Sequence, residues 1–341
     1  MAEIPFQIAV AFGVQSVLGT ADATIAALTG SLTEADGIVL GDPESGVAES
    51  GVEISFLREF IEKAAVAGSF TKQASNFVGE ALDGFDVSIQ LKGNGAGVTA
   101  ADADFKPKKG VDALIQSCGL LGAAWGSGVG YRYGLGSVQI MTAKVWLNGM
   151  HWVIKDIVGS VSFEFEPGNV AIATFSLGGT IDSFSAASTF PTLNYGFQAS
   201  ASAPIIQTVG HNWGISAALR GFTEATLTVD SGTEDIPDSN ASAGKRTRQT
   251  GREITMEATI FADSGDIDFE RSELVRATAP TSPQTFTVGT AATGPLAYRV
   301  SLATPELRAF KPNIAGGSYT AECELVAVNA SANGEAELIF L

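Results

Sequence analysis

Only two histidines, His151 and His211, are available in this chain for acid–base or metal chemistry. They sit in Met-His-Trp and Gly-His-Asn settings, with no second histidine three or four residues away. A zinc-binding helix needs that spacing to set two imidazoles on one face. A Ser-His-Asp triad would have to use one of the two, and the Gly-x-Ser-x-Gly turn that presents a nucleophile is absent from the sequence. Two glycine-rich runs, Gly126-Ser127-Gly128-Val129-Gly130 and Gly93-Asn94-Gly95-Ala96-Gly97, lack both the Walker spacing and a surrounding βαβ pattern, so they read as flexible loops. Asp230, Asp235 and Asp238 lack the spacing of a calcium loop. Asp102 and Asp104, close to Lys106, Lys108 and Lys109, form a mixed-charge loop. A glycosidase needs a carboxylate pair in a cleft, and such clefts are commonly lined by aromatics. Trp125, Trp146 and Trp152 lie in strand-like or glycine-rich surroundings that suggest no cleft. No catalytic residue, cofactor or metal ligand is expected.

Charge excludes a further class. Acids outnumber bases by 37 to 20, a formal charge of −17. A protein that grips nucleic acid replaces phosphate counterions with Lys and Arg. A broad DNA-gripping face is therefore not expected, and any surface that meets DNA should repel it. Apolar residues reach 45%, which suits a globular core, while charged residues are only 17% against a usual quarter or so. Low charge with abundant Gly, Ala, Ser and Thr fits a protein that hides surface against copies of itself. Cys118 and Cys323 lie in apolar settings and are expected as buried thiols rather than a disulfide. No secretory leader is read at the start, and no apolar run reaches about 18 residues, so no membrane partner is expected.

The elements are mostly strands. Asp86 to Leu91, Gly159 to Glu166 and Ala171 to Leu177 alternate with a period of two. Pro167-Gly168-Asn169 between the last two predicts a hairpin. Further alternating runs are Ala225–Val229, Glu253–Phe261, Tyr298–Leu302, Tyr319–Val328 and Ala336–Phe340. Leu57 to Ala64 is either a helix or a strand entering one. Gly110 to Leu121 is a helix ending at Gly119, and Asp268 to Ala277 is a second. The fold class is mainly β, in antiparallel sheets, with short flanking helices.

Two polar stretches interrupt the pattern, about 41–51 and 231–251. Asp42, Glu44, Glu49, Glu234, Asp235, Asp238, Lys245, Arg246 and Arg248 are the candidate contact residues there. The longer stretch is either a solvated loop or an arm that orders on a neighbouring copy. A linker-like segment near Phe190–Pro204 separates two halves, 1–195 and 205–341, whose elements run in a similar order.

With those elements in place, the chain resembles the tail tube (major tail) proteins of siphophages. Val10 to Ala21 is similar to the family's opening strand and Gly-Thr turn. Val87–Lys92 followed by Ala113–Leu120 resembles its strand, glycine-rich loop and helix. Ile157 to Gly168, continuing through Phe175 to Gly179, resembles its paired alternating strands around an acidic-Gly turn, with Pro167 as a departure. Phe222–Val229, the long loop and Gly251–Glu257 resemble its strand, loop and Gly-Arg strand. Residues 122–136 match nothing in the family.

The resemblance implies a tail-tube-type β-sandwich or barrel, with room for two tandem copies of the fold. It implies a virion structural protein, not an enzyme, made in the host bacterial cytoplasm and located in the virion tail. Its first partner is itself: rings, as trimers with pseudo-sixfold symmetry or as hexamers, stack into a conduit for DNA ejection. Implied partners are a tape measure protein, tail terminator or baseplate proteins, and DNA that passes without tight binding. Such a tube should have a net-negative lumen without arginine clusters. The rival readings are a decoration or baseplate protein of the same virion, a β-sandwich carbohydrate-active enzyme, and an adhesin.

Overall fold

A computed structural model of the chain describes residues 8–29, 31–32, 51–62, 74–91, 109–125, 130–147, 149–167, 169, 171–186, 189–193, 209–212, 222–237, 245–261, 284–288, 298–302, 305–315, 318–327 and 336–340. In chain order the strands are β1 (Ile8–Val14), β2 (Ser31–Leu32), β3 (Gly51–Glu62), β4 (Ala74–Gln90), β5 (Leu120–Trp125), β6 (Gly130–Leu135) and β7 (Met141–Leu147). They continue as β8 (Met150–Phe165), β9 (Ile172–Ser185), β10 (Thr192–Leu193), β11 (Val209–Asn212), β12 (Phe222–Asp230), β13 (Thr233–Pro237) and β14 (Lys245–Gln249). The last six are β15 (Glu253–Phe261), β16 (Gln284–Val288), β17 (Tyr298–Leu302), β18 (Pro305–Ala315), β19 (Ser318–Ala327) and β20 (Ala336–Phe340). The helices are α1 (Ala23–Ala26) and α2 (Lys109–Ser117). The protein is mainly β, and both large sheets are antiparallel.

The larger sheet has ten strands along the path β18-β19-β15-β12-β8-β9-β4-β3, with β7 and β1 branching from β8. The branch follows from the length of β8. On one edge its first part takes β7 (Leu147↔Met150 to Met141↔Ile157), and its last part takes β12 (Val229↔Val161 to Ala225↔Phe165). On the other edge it pairs with β9. The β8–β9 hairpin turns through Glu166, Pro167 and Asn169, as the Pro-Gly-Asn run predicts, and Asn169 N donates to Glu166 O at 3.1 Å. Gly159 allows the close approach there, because a Cβ would strike the carbonyl of Ser176.

The second sheet has six strands, β11-β16-β17-β20-β6-β5. Strands from both sides of the 190–204 segment share the two sheets, since β12 pairs with β8 and β20 with β6. Buried side chains of both sheets form one hydrophobic cluster, with Phe163, Phe165, Phe175 and Leu227 from the first and Tyr133, Val300 and Leu338 from the second. Along β12 and β15 and the last part of β8 its members alternate with polar residues, which is the period-two pattern read from the sequence.

Helix α2 lies where the sequence places it, and Ala113, Leu114 and Ile115 are fully or almost fully buried. Gly119 ends it at φ +81°, a left-handed position that glycine takes without strain. Buried Tyr133 on β6 donates to Asp112 of α2 at 2.7 Å, and Ser231 Oγ donates to Cys118 O at 3.1 Å. Residues 57–62 belong to β3, so the Leu57 run is a strand there. The helix expected at Asp268–Ala277 lies outside the described residues.

Candidate functional site

The ten-stranded sheet turns one face to the main core. Its reverse face is open over one half and covered over the other. Along the open half, β15 presents Glu253, Thr255, Glu257 and Thr259, in alternation with buried Ile254, Met256, Ala258 and Ile260. β12 presents Glu224, Thr226, Thr228 and Asp230, and β19 presents Glu322 and Glu324. β8 adds Ser160, Ser162 and Glu164, β9 adds Thr174 and Ser176, and β4 adds Asp86 and Ser88. Cross-strand registers set these residues in rows, such as Glu324–Glu257–Thr226–Glu164 and Thr255–Thr228–Ser162–Thr174–Ser88.

Carboxylates and hydroxyls dominate this surface. No Lys or Arg occurs among residues 85–91, 158–165, 172–180, 222–230 or 253–261. Cations enter at the margin, on β18: Arg308 donates to Glu253 (2.8 Å) and Glu324 (3.2 Å), and Lys311 lies 3.7 Å from Glu322. These pairs are solvent-exposed and contribute little to stability. The hydrogen bond to Glu253 is the first cause raising the Arg308 pKa above its ordinary value. Glu257 stands directly opposite Glu324, an arrangement that costs about 0.2–1 kcal/mol. Solubility alone would be served by interspersed signs. A shallow depression of about 340 Å³ lies over this acidic part of the sheet, between Glu224, Glu257 and Lys311. No group of three or more His, Cys, Asp or Glu among the described residues is placed to hold a metal ion.

The covered half belongs to β1, β7 and the first part of β8. Here Ala9, Ala11 and Trp146 form a second apolar cluster with Leu28 and Phe190. Lys144, buried on the same face, donates through Nζ to Ala26 O (2.8 Å) and Leu28 O (2.9 Å) at the end of α1, and lies 5.3 Å from the Trp146 ring centre. A cation suits the carbonyls that a helix C-terminus leaves unpaired. Burial lowers the Lys144 pKa. Burial, then the charge of Lys144, lowers that of His151, whose Nδ1 is buried without a hydrogen-bond partner.

One network pins the chain between β1 and α1 to this half. Gln15 Nε2 donates to Asp156 Oδ1 (2.6 Å) and to Val17 O (2.8 Å). Gly19 N also donates to Asp156 Oδ1 (2.7 Å), and Asp156 N donates to Gln15 Oε1 (3.0 Å). Thr142 Oγ1 donates to Gln15 Oε1 (3.0 Å) and accepts from Asp22 N (2.8 Å). Asp22 caps α1 through Thr24 N and Ile25 N. Asp156 holds φ at +54°, in the left-handed region that Asp tolerates better than most residues.

The cysteines are inert by position. Both are buried and free, and burial pushes the Cys118 thiol up to about 12, so the nucleophilic thiolate is scarce at neutral pH. Trp146 and Trp152 are buried and form no exposed aromatic platform. His211 lies on β11.

The contact residues named from sequence are placed as follows. Residues 231–251 form a two-stranded hairpin over their described part, β13 with β14. Exposed Glu234 is in register with Arg248, Asp235 with Thr247, and Lys245 and Arg246 with Pro237 and Ile236. β14 lies against β8 and β9 of its own chain. Asp238, Asp42, Glu44 and Glu49 lie outside the described residues. The acidic face itself was not among the sequence candidates. Its signal was present in each strand, as in Glu253-x-Thr255-x-Glu257-x-Thr259, but the order of strands was needed to join the pieces. Comparison of the chain with protein-family models and with curated proteins finds no match to either.

Proposed function

We propose that this protein is a tail tube subunit of a siphophage-like virion, whose copies close into rings and stack into a conduit for DNA. The observation that carries the reading is the open half-face: a broad run of antiparallel strands showing carboxylates and hydroxyls, with no Lys or Arg in the described stretches 85–91, 158–165, 172–180, 222–230, 253–261 and 318–327 that build it. Turned inward, that face repels phosphate, so DNA slides past it. A wall that gripped DNA would present Lys and Arg and would hold it by counterion release.

Size favours three copies per ring. Eight strands lie along the main path of the sheet. At about 4.8 Å per strand, three copies give a circumference of at least roughly 115 Å and a width of roughly 37 Å, which strand tilt and any joint made by side chains instead of a shared ladder widen further. That leaves room for a DNA duplex, whereas six copies would double the width. In this reading the β13–β14 hairpin and the 41–51 stretch serve contacts between stacked rings. A decoration or baseplate protein shares the composition, but would not form tubes of uniform width.

Negative-stain microscopy of the concentrated protein tests the proposal. Rings and uniform tubes are expected, with three chains per ring by mass measurement. A monodisperse monomer at high concentration would overturn it. The role of the face has its own test. A variant carrying Glu164→Lys, Glu224→Lys and Glu257→Lys should retain DNA at low salt and release it as salt rises, while the parent retains none. Equal retention by the two proteins would remove the DNA-facing assignment.

A further inference from the structure

The two ends of the main path of the ten-stranded sheet are built differently, and β18 carries the difference. In an antiparallel sheet, residues alternate between pairs that exchange both backbone bonds and pairs whose N–H and C=O groups turn to the other side. Leu91 N donates to Ala171 O at 2.8 Å, which marks that pair as bonded. Counting from there through the registers of β9, β8, β12, β15 and β19 makes Lys311↔Glu322 and Asn313↔Thr320 the bonded pairs of β18. Pro312, opposite Ala321, therefore turns its nitrogen away from β19, to the side where no described strand pairs with β18. Proline chemistry requires the same placement, because Pro312 has no N–H to give to β19. Pro305, opposite Ala327, falls in the same phase.

The outward backbone positions of β18 are thus Pro305, Leu307, Phe310, Pro312 and Ile314, and the two prolines supply no donor. Between them the strand bulges at Arg308, where the register shifts from Leu307 to Ala309. Lys311 beside Pro312 has its side chain 75% exposed. Proline, a bulge and an exposed lysine are three separate ways to stop a sheet edge from taking up another strand, and all three fall on this one strand. β3, at the opposite end of the path, also has register shifts against β4 but contains no proline, so the prolines are what set β18 apart.

We infer that the β18 edge is closed to backbone pairing with a second copy of this chain. Copies meeting at β18 do so through side chains. An incoming strand that covered the whole edge would bury carbonyls opposite Pro305 and Pro312 without donors, which opposes the contact. The inference concerns the subunit itself and holds whether copies close into rings or remain apart.

Two measurements on the full chain test it. The first compares the parent with Pro305→Ala/Pro312→Ala by sedimentation velocity over a concentration series. Both sites lie on the sheet edge, and the variant restores both donors. Higher-mass species are expected at about tenfold lower concentration than in the parent. An unchanged concentration dependence would overturn the inference. The second is amide hydrogen exchange of the parent at Phe310 and Ile314, in the subunit and in whatever assembly forms. Fast exchange in both states supports the closed edge, and strong protection on assembly overturns it. If the parent forms no assembly, the tube proposal fails while the variant comparison still reads the edge.

Discussion

One sheet treats its reverse face in two opposite ways. Over β1, β7 and the start of β8, that face carries Ala9, Ala11, Lys144, Trp146 and Val153, all buried. Over the end of β8 and across β12, β15 and β19 it carries Ser, Thr, Asp and Glu, largely exposed or half-buried. The difference is one of partners. The covered half has α1, Leu28 and Phe190 to receive it, so its apolar groups leave water and the Lys144 cation finds helix carbonyls. Over β12, β15 and β19 the open half keeps exposed or half-buried residues that suit water, while the described β14 lies against β8 and β9. Strand β8 passes through both regimes, so the contrast is set by what packs on the strand and not by the strand's own geometry.

The largest expected effect separates the halves by stability. Trp146→Ala should cost about 3–5 kcal/mol, because it empties a buried aromatic site under α1. Glu257→Ala on the open half should stay within about 0.5 kcal/mol of the parent or raise stability slightly, since it relieves the apposition to Glu324. Urea unfolding midpoints of the two variants read this directly, and similar losses from both would break the comparison.

A smaller effect is expected at the network that pins the covered half. Asp156→Ala should lose about 1–3 kcal/mol, because the Gln15 side chain and Gly19 N–H lose their buried acceptor. Asp156→Gly should be less damaging than Asp156→Ala, since glycine takes φ near +54° freely. Thermal melts ranking alanine above glycine would show that the backbone conformation is not what Asp156 serves.

The smallest effect is a pH slope. His151 has its folded pKa below the ordinary 6.5, by burial and by Lys144. The unfolded chain therefore binds the proton more readily. The stability linked to this residue is full above pH 6.5 and is lost as pH falls through the lower folded value. His151→Asn should flatten that slope in melting temperature below pH 6.5. An identical slope in the two proteins would place the titration elsewhere.

Period-two alternation in the sequence was enough to determine the mainly β class, the β8–β9 hairpin and strands β12, β15, β17, β19 and β20, but not β13, β14, β16 or β18, while the burial of both cysteines was legible from their apolar neighbours. Those are local matters: side chains on a pleated strand alternate sides, and Pro-Gly-Asn turns a chain. The Gly110–Leu121 helix and its glycine end were legible for the same reason. Strand order was decided only in the tertiary structure. Nothing local in Ser160-x-Ser162-x-Glu164 or in Glu224, Glu257 and Glu324 says that they lie side by side, because their adjacency comes from pairing across long separations. Likewise Gln15, Thr142 and Asp156 are unremarkable polar residues in the sequence and become one buried network only when β1, β7 and β8 come together. Pro312 reads locally as a residue unsuited to a strand. It has meaning only once β18 is known to be the edge and its nitrogen is known to face away from β19.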